Sequence, residues 1–163
     1  MTHTRTALYA GTGAAVAALA ATALLSRLEG HSALRAINST SHIIWGPDDA
    51  PSDEIDVERT VPGLLINIGS AYFWGTVFAC MTPRPERRST GDIVGRAFGT
   101  SLLAGVIDYG LVPRRLRPGW ELAMRPGFVA AAIAAMGAGI AWGGLKAREA
   151  ERLPWNGWNR PFT

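Results

Sequence analysis

Four stretches of the 163-residue chain, 6–26, 60–83, 97–107 and 126–145, hold none of its 16 basic and 13 acidic residues, although they make up nearly half its length. A soluble domain scatters charge along its sequence, at about a quarter of all positions. Segregation on this scale points to lipid as the solvent of the apolar stretches. The overall 18% of charged residues is an average over polar connectors. One cysteine, Cys80, excludes a disulfide-stapled secreted module. The apolar content excludes a disordered tail or a collagen-like repeat, and the length excludes a large multi-domain enzyme.

Crossing a bilayer takes about 20 apolar helical residues. The sequence therefore predicts an all-α integral membrane bundle, one domain over 1–163, with about four transmembrane helices at 7–26, 61–82, 93–112 and 126–145. The first, mostly Ala, Gly and Thr, reads as an anchor rather than a cleaved signal peptide, because its apolar run is long and Arg27 follows at once. The second is the most hydrophobic. The third contains two charges, Arg96 and Asp108, each near an end. Insertion of such residues costs about 2.5–3.5 kcal/mol at mid-bilayer and less near the ends. Arg96 is long enough to snorkel to the headgroups from a lipid-facing row with Thr100, Leu103 and Ile107, whereas Asp108 is too short to do so. About 18 Å of helix separates the two, so neither neutralises the other.

Segment 31–46 is too short to span. Leu34, Ile37, Ile44 and Trp45 recur near helical spacing, opposite Arg35, Asn38 and His42, which predicts an interfacial helix or re-entrant turn. An acidic loop, 47–60, follows, and the aromatic tail 153–163 carries Trp155, Trp158 and Phe162 as an interfacial anchor. With both termini inside, eight basic residues lie inside and seven outside, which gives almost no positive-inside bias.

Helices in lipid associate by close packing of small residues. Gly127, Ala131, Ala135, Gly139 and Gly143 recur at four-residue steps, as do Gly91, Gly95 and Gly99, with a second row of Ala97, Ser101 and Gly105. These are the expected packing faces. Asp108, three, seven and eleven positions after the second row, projects into the bundle with it and is the most functional-looking side chain. Asn67 and Ser70 form a second polar spot.

Asn38 and His42, one turn apart, suggest an amide orienting an imidazole, with His42 handling protons or capping a local hydrogen bond. The spacing of His31, His42 and the aspartates matches no metal-ligand pattern. Arg114 and Arg115, after the helix-ending Pro113, either meet lipid phosphates or fold back on Asp108. Gly11-Thr12-Gly13 lacks the third glycine and preceding strand of a dinucleotide loop, and Asn38-Ser39-Thr40 matters as a glycosylation site only in a eukaryotic secretory path. The arginines of 84–88 are not interleaved with aromatics, which argues against nucleic acid.

Asn38-Ser39-Thr40-Ser41-His42-Ile43-Ile44-Trp45-Gly46, Tyr72-Phe73-Trp74 and Asp108-Tyr109 with Pro113-Arg114-Arg115 and Pro118-Gly119 together resemble small multi-pass bacterial inner-membrane proteins of the YagU-like kind. The resemblance covers about residues 30–145. It implies a multi-pass inner-membrane location and a link to acid tolerance. Where such relatives carry histidines in the second span, this chain reads Asn67-Ile68-Gly69-Ser70.

Three functions follow as expectations. The first is a non-enzymatic protein that packs with itself or another membrane protein through its small-residue faces. The second is a transport or proton-linked protein centred on Asp108. The third is an interfacial lipid-modifying enzyme with His42 as base, for which no nucleophile, metal cluster or paired carboxylates are visible. The bilayer is the expected partner, and no cofactor is expected.

Overall fold

The computed structural model describes residues 2–46 and 51–152. Part of the acidic loop, 47–50, and the tail 153–163 lie outside the described residues. Among the described residues all regular structure is helical. The long helices are α1 (Thr2–Leu28), α4 (Val57–Met81), α5 (Thr90–Val106) and α7 (Pro126–Arg152), joined through the short helices α2 (Arg35–Ser39), α3 (His42–Trp45) and α6 (Trp120–Ala123). α1, α4 and α7 are long and apolar enough to cross a membrane. α5 is shorter and runs on into a π-helical turn, Ile107–Leu111.

The four long helices alternate in direction, with α1 between α4 and α7, and α5 against the far side of α7. α1 touches both neighbours by backbone. Gly11 abuts Tyr72 and Gly75 of α4, while a Cβ on Gly13 would strike the carbonyl of Gly139, and one on Gly139 the carbonyl of Gly13. Gly143 lies equally close to the Tyr9 carbonyl. Two residues turn a helix by about 200°, so Gly11 and Gly13 serve nearly opposite faces of α1. Gly11-Thr12-Gly13 is thus a double packing site.

The four-step row of α7 is only half used. Gly139 and Gly143 are buried on α1, but Gly127 and Ala131 are exposed and Ala135 only half-buried. Each four-residue step overshoots a full turn by about 40°, so Gly127 and Gly143 lie about 160° apart around the helix. The buried face instead includes Ala132, Met136, Ile140, Gly144 and Ala147. On α5 the second row faces α7: Ala97 is buried, Ser101 donates to the Ile133 carbonyl and Gly105 meets Ile133. Gly95 and Gly99 have open space where a Cβ would sit, and Gly91 meets only the nearby Ser89 hydroxyl. Among the described residues nothing lies within 4 Å of where a Cβ on Gly95 or Gly99 would sit.

Arg96, expected to snorkel to the headgroups, donates to Asp92 at 2.9 Å and to the Met81 carbonyl at 2.6 Å. Its row is not lipid-facing throughout, because Thr100 is fully buried and donates back to the Arg96 carbonyl. α4 begins inside the expected acidic loop, at Val57, because Asp56 caps it by accepting from the Glu58 amide. Pro62, in the second turn, has no N–H for the Glu58 carbonyl. The Trp45 indole donates to that carbonyl at 3.0 Å instead, so Trp45 completes a helix rather than merely anchoring at an interface.

Segment 31–46 is not one interfacial helix. It is the pair α2 and α3, and residues 36–42 are buried. α2 is seated where Gly63 of α4 leaves room for the Ile37 carbonyl.

Two outcomes follow. Gly139→Ala forces α1 and α7 apart and costs about 1–3 kcal/mol by overpacking, whereas Gly99→Ala is neutral or stabilising by up to about 1 kcal/mol through helix propensity; denaturant titration of the two variants measures both. The Arg59 guanidinium, then the Glu58 amide, hold the Asp56 carboxyl below its ordinary 3.8. The stabilisation is therefore complete above that value and lost as pH falls through the lower folded value. Asp56→Ala should lower the melting temperature at pH 7 and change it little near pH 2.

Candidate functional site

The order α4–α1–α7–α5 curls the helices around a cavity of about 190 Å³. Ala18 of α1, Asn67 and Ser70 of α4 and Met136 of α7 contribute walls, and Asp108 of the π turn faces in from the end of α5. Thr40, Pro118 and Trp120 line one end.

That end is held by polar side chains. Asn67 donates to the Thr40 hydroxyl at 2.9 Å and to the Gly63 carbonyl at 2.8 Å, and accepts from the Trp120 indole at 3.1 Å. Thr40 in turn donates to the Pro118 carbonyl at 2.6 Å. One amide thereby joins α4, the α2–α3 segment and the loop before α6. Gly119 makes the close approach possible. Its φ is +82°, and a Cβ there would lie 2.6 Å from the Ser39 carbonyl and 2.9 Å from His42 Nδ1.

His42 is buried, and its Nδ1 donates to the Ser39 carbonyl at 2.7 Å. Asn38 does not orient it. The Asn38 amide donates to the carbonyls of Ser52 and Glu54, both at 2.9 Å, and accepts from Thr60, so it fastens the loop before α4. The cavity brings Asn67 and Asp108 together, whereas His42 lies behind its wall.

Asp108 sits where the three-, seven- and eleven-residue spacing from Gly105, Ser101 and Ala97 predicts, on the inner side of α5. The π turn, closed by the Val112 amide on the Ile107 carbonyl at 2.9 Å, delivers it there. π turns of this kind interrupt α-helices often at functional positions. Among the described residues Asp108 has neither a hydrogen bond nor an ion pair. Arg114 and Arg115 are exposed on a 3₁₀ turn and do not fold back on it. Arg117 turns instead to the Val112 carbonyl at 3.4 Å. The arrangement offers an acceptor-rich, uncompensated carboxylate in a mostly apolar chamber with an aromatic wall, Trp120 and Tyr109. Among the described residues no group of three His, Cys, Asp or Glu is placed to hold a metal.

Sequence reasoning overlooked Thr40, Trp120 and Gly119 as members of this site. A glycine followed by tryptophan after Pro118 marks a turn, but its contact with residues almost 80 positions earlier has no local signature.

Asn67→Leu strands the Trp120 N–H and removes a donor to Thr40. The expected loss is about 1–3 kcal/mol for each buried group left unpaired, read as a lower unfolding midpoint, with Trp120→Phe recovering part of it in the double variant. No protein-family model, curated protein or solved structure matches the chain.

Proposed function

We propose that the chain is a multi-pass protein of the bacterial inner membrane, with α5 as a fourth span, that binds a small monovalent cation at Asp108 as a transport or proton-linked protein does. The observation carrying this reading is the carboxylate without a partner, turned into a cavity bounded by four helices. A carboxylate in a water-poor bundle calls for a counter-charge, and among the described residues no basic side chain lines this cavity. Trp120 and Tyr109 add aromatic faces, which favour ammonium-type cations. α5 together with its π turn covers residues 90–111, and about 20 residues suffice to span. Arg96 at one end is bonded at the rim rather than sunk in lipid.

The small-residue rows weigh less toward a purely packing role, because Gly139, Gly143 and the Ser101 row are occupied within the chain. The outward row of Gly95 and Gly99 supports a second reading, contact with another copy or another membrane protein. The two are compatible, since a bundle this small needs an oligomer to form a transport path. We place 82–89 and 146–152 on the cytoplasmic side; the opposite end carries Asp53, Glu54, Asp56 and Glu58.

Tetramethylammonium is the probe. A ligand at a hundredfold excess over Kd raises stability by about 2.7 kcal/mol, so the purified protein should melt at higher temperature as the salt is added, relative to sodium at equal ionic strength. Asp108→Asn should melt normally without the probe and show no such rise. A rise unchanged in Asp108→Asn would place the cation elsewhere and defeat the reading.

A further inference from the structure

A second hollow lies immediately outside the first. It is an open apolar groove of about 650 Å³ between α5 and α7, walled by Phe98, Leu102 and Val106 on one side and by Val129, Ala130 and Ala134 on the other. Its polar members are Tyr109 and Glu121. Gly105, Tyr109 and Ile133 line both the groove and the Asp108 cavity, so these three residues are the partition between them. The partition is thin. Gly105 contributes no side chain, and a Cβ there would already lie 3.1 Å from Ile133.

Nothing fastens its largest member. Among the described residues the Tyr109 hydroxyl is buried without a hydrogen-bond partner, and one Glu121 oxygen is likewise buried and unpartnered. Tyr109 also belongs to the π turn, where the backbone departs from the regular α-helical ladder. A ring held only by packing can change rotamer without breaking a hydrogen bond. Turned aside, it would leave Gly105 and Ile133 between the outer groove and the inner chamber.

The chemistry of the two hollows is asymmetric. Carboxylates stand on both sides of Tyr109, Asp108 inside and Glu121 in the groove, and among the described residues no basic residue lines either hollow. The rest of the groove is hydrocarbon, and in a spanning α5 and α7 it opens to the acyl chains rather than to water. Resting on the Asp108 reading, we infer that the ligand is a lipophilic cation that enters sideways from the membrane between α5 and α7. Its ammonium head passes Tyr109 to reach Asp108, and its alkyl tail lies in the groove along Leu102 and Ala134. A tail binds there because burial of each CH₂ is favourable, and a cation suits a chamber with carboxylate and aromatic walls.

The test compares dodecyltrimethylammonium with tetramethylammonium, which share a head and differ by the tail. Each is titrated against the full chain in lipid nanodiscs by thermal shift, with Asp108→Asn nanodiscs as the control for partitioning into lipid. Dodecyltrimethylammonium should bind at least tenfold more tightly than tetramethylammonium. Ala134→Trp, which fills the groove from an exposed position, should bring the tailed cation to within about twofold of the tailless one and leave the tailless affinity unchanged. Ala130→Trp, also exposed and on the same wall, serves as an independent second block. Equal affinities of the two cations for the unmodified chain, or a tail preference surviving both tryptophans, overturns lateral entry while leaving the Asp108 site intact. If neither cation shows Asp108-dependent binding, the cavity reading itself has failed and lateral entry falls with it.

Discussion

The backbone contact of α1 with two neighbours at once sets the geometry of everything else. Gly11 and Gly13 are so placed around the helix that one meets α4 and the other α7, and in each case the opposing residue includes a glycine: Gly75 on one side, Gly139 on the other. In lipid there is little hydrophobic drive between helices, so the gain comes from dispersion over closely matched surfaces and from short-range backbone contacts. A methyl group at any of these positions would separate the axes and forfeit contacts along the whole interface. The small-residue composition of α1, mostly Ala, Gly and Thr, is what lets it be the central helix.

With α4 and α7 drawn onto opposite sides of α1, they meet each other narrowly, where Phe78 of α4 reaches Gly144 of α7. α5 packs on α7 through the Ala97, Ser101 and Gly105 row and reaches α4 mainly at the rim, where Arg96 bonds the Met81 carbonyl. The space left between the four is the Asp108 cavity. Its floor is not helical packing but hydrogen bonding, since Asn67, Thr40, Trp120 and the Pro118 carbonyl saturate one another across three separate stretches of chain. Asn67 has no donor left to offer Asp108, because both of its N–H groups are engaged. The carboxylate is therefore isolated by a network satisfied without it.

Much of this was legible from local pattern, and the exceptions have a common cause. Charge-free windows located the long helices because hydropathy is a property of each segment by itself. The inward placement of Asp108 followed from counting back along one helix to Ala97. What depends on a distant partner left no such trace. Leu34, Ile37, Ile44 and Trp45 looked like one amphipathic helix, but the segment is divided in two and buried because Gly63 admits the Ile37 carbonyl and Pro62 leaves Glu58 to be capped by Trp45. Gly11 and Gly13 resembled a broken loop motif because a helix with two opposed contact faces shows no single stripe. The four-step row of α7 misled for a simpler reason: its period differs from that of the helix, so its ends turn away from the face that its middle occupies.

Buried polar atoms without hydrogen-bond partners occur at both ends of the bundle, on Thr82, Glu86, Asp92 and Arg148 at one and on Ser26, Arg35, Tyr109 and Glu121 at the other, and two of them stand beside Asp108. Asn38, His42, Asn67 and Trp120 each find partners within a few ångströms, so the fold can satisfy buried polar groups where it uses them structurally. Among the described residues Asp108 has none, and the Tyr109 hydroxyl and a Glu121 oxygen are buried without partners. Leaving such groups unmet costs free energy that a leucine or phenylalanine in the same places would avoid. All three line the two hollows that meet at Tyr109. Among the described residues the Asp108 carboxylate, the Tyr109 hydroxyl and that Glu121 oxygen hold no other group, and what they have in common is the space they face.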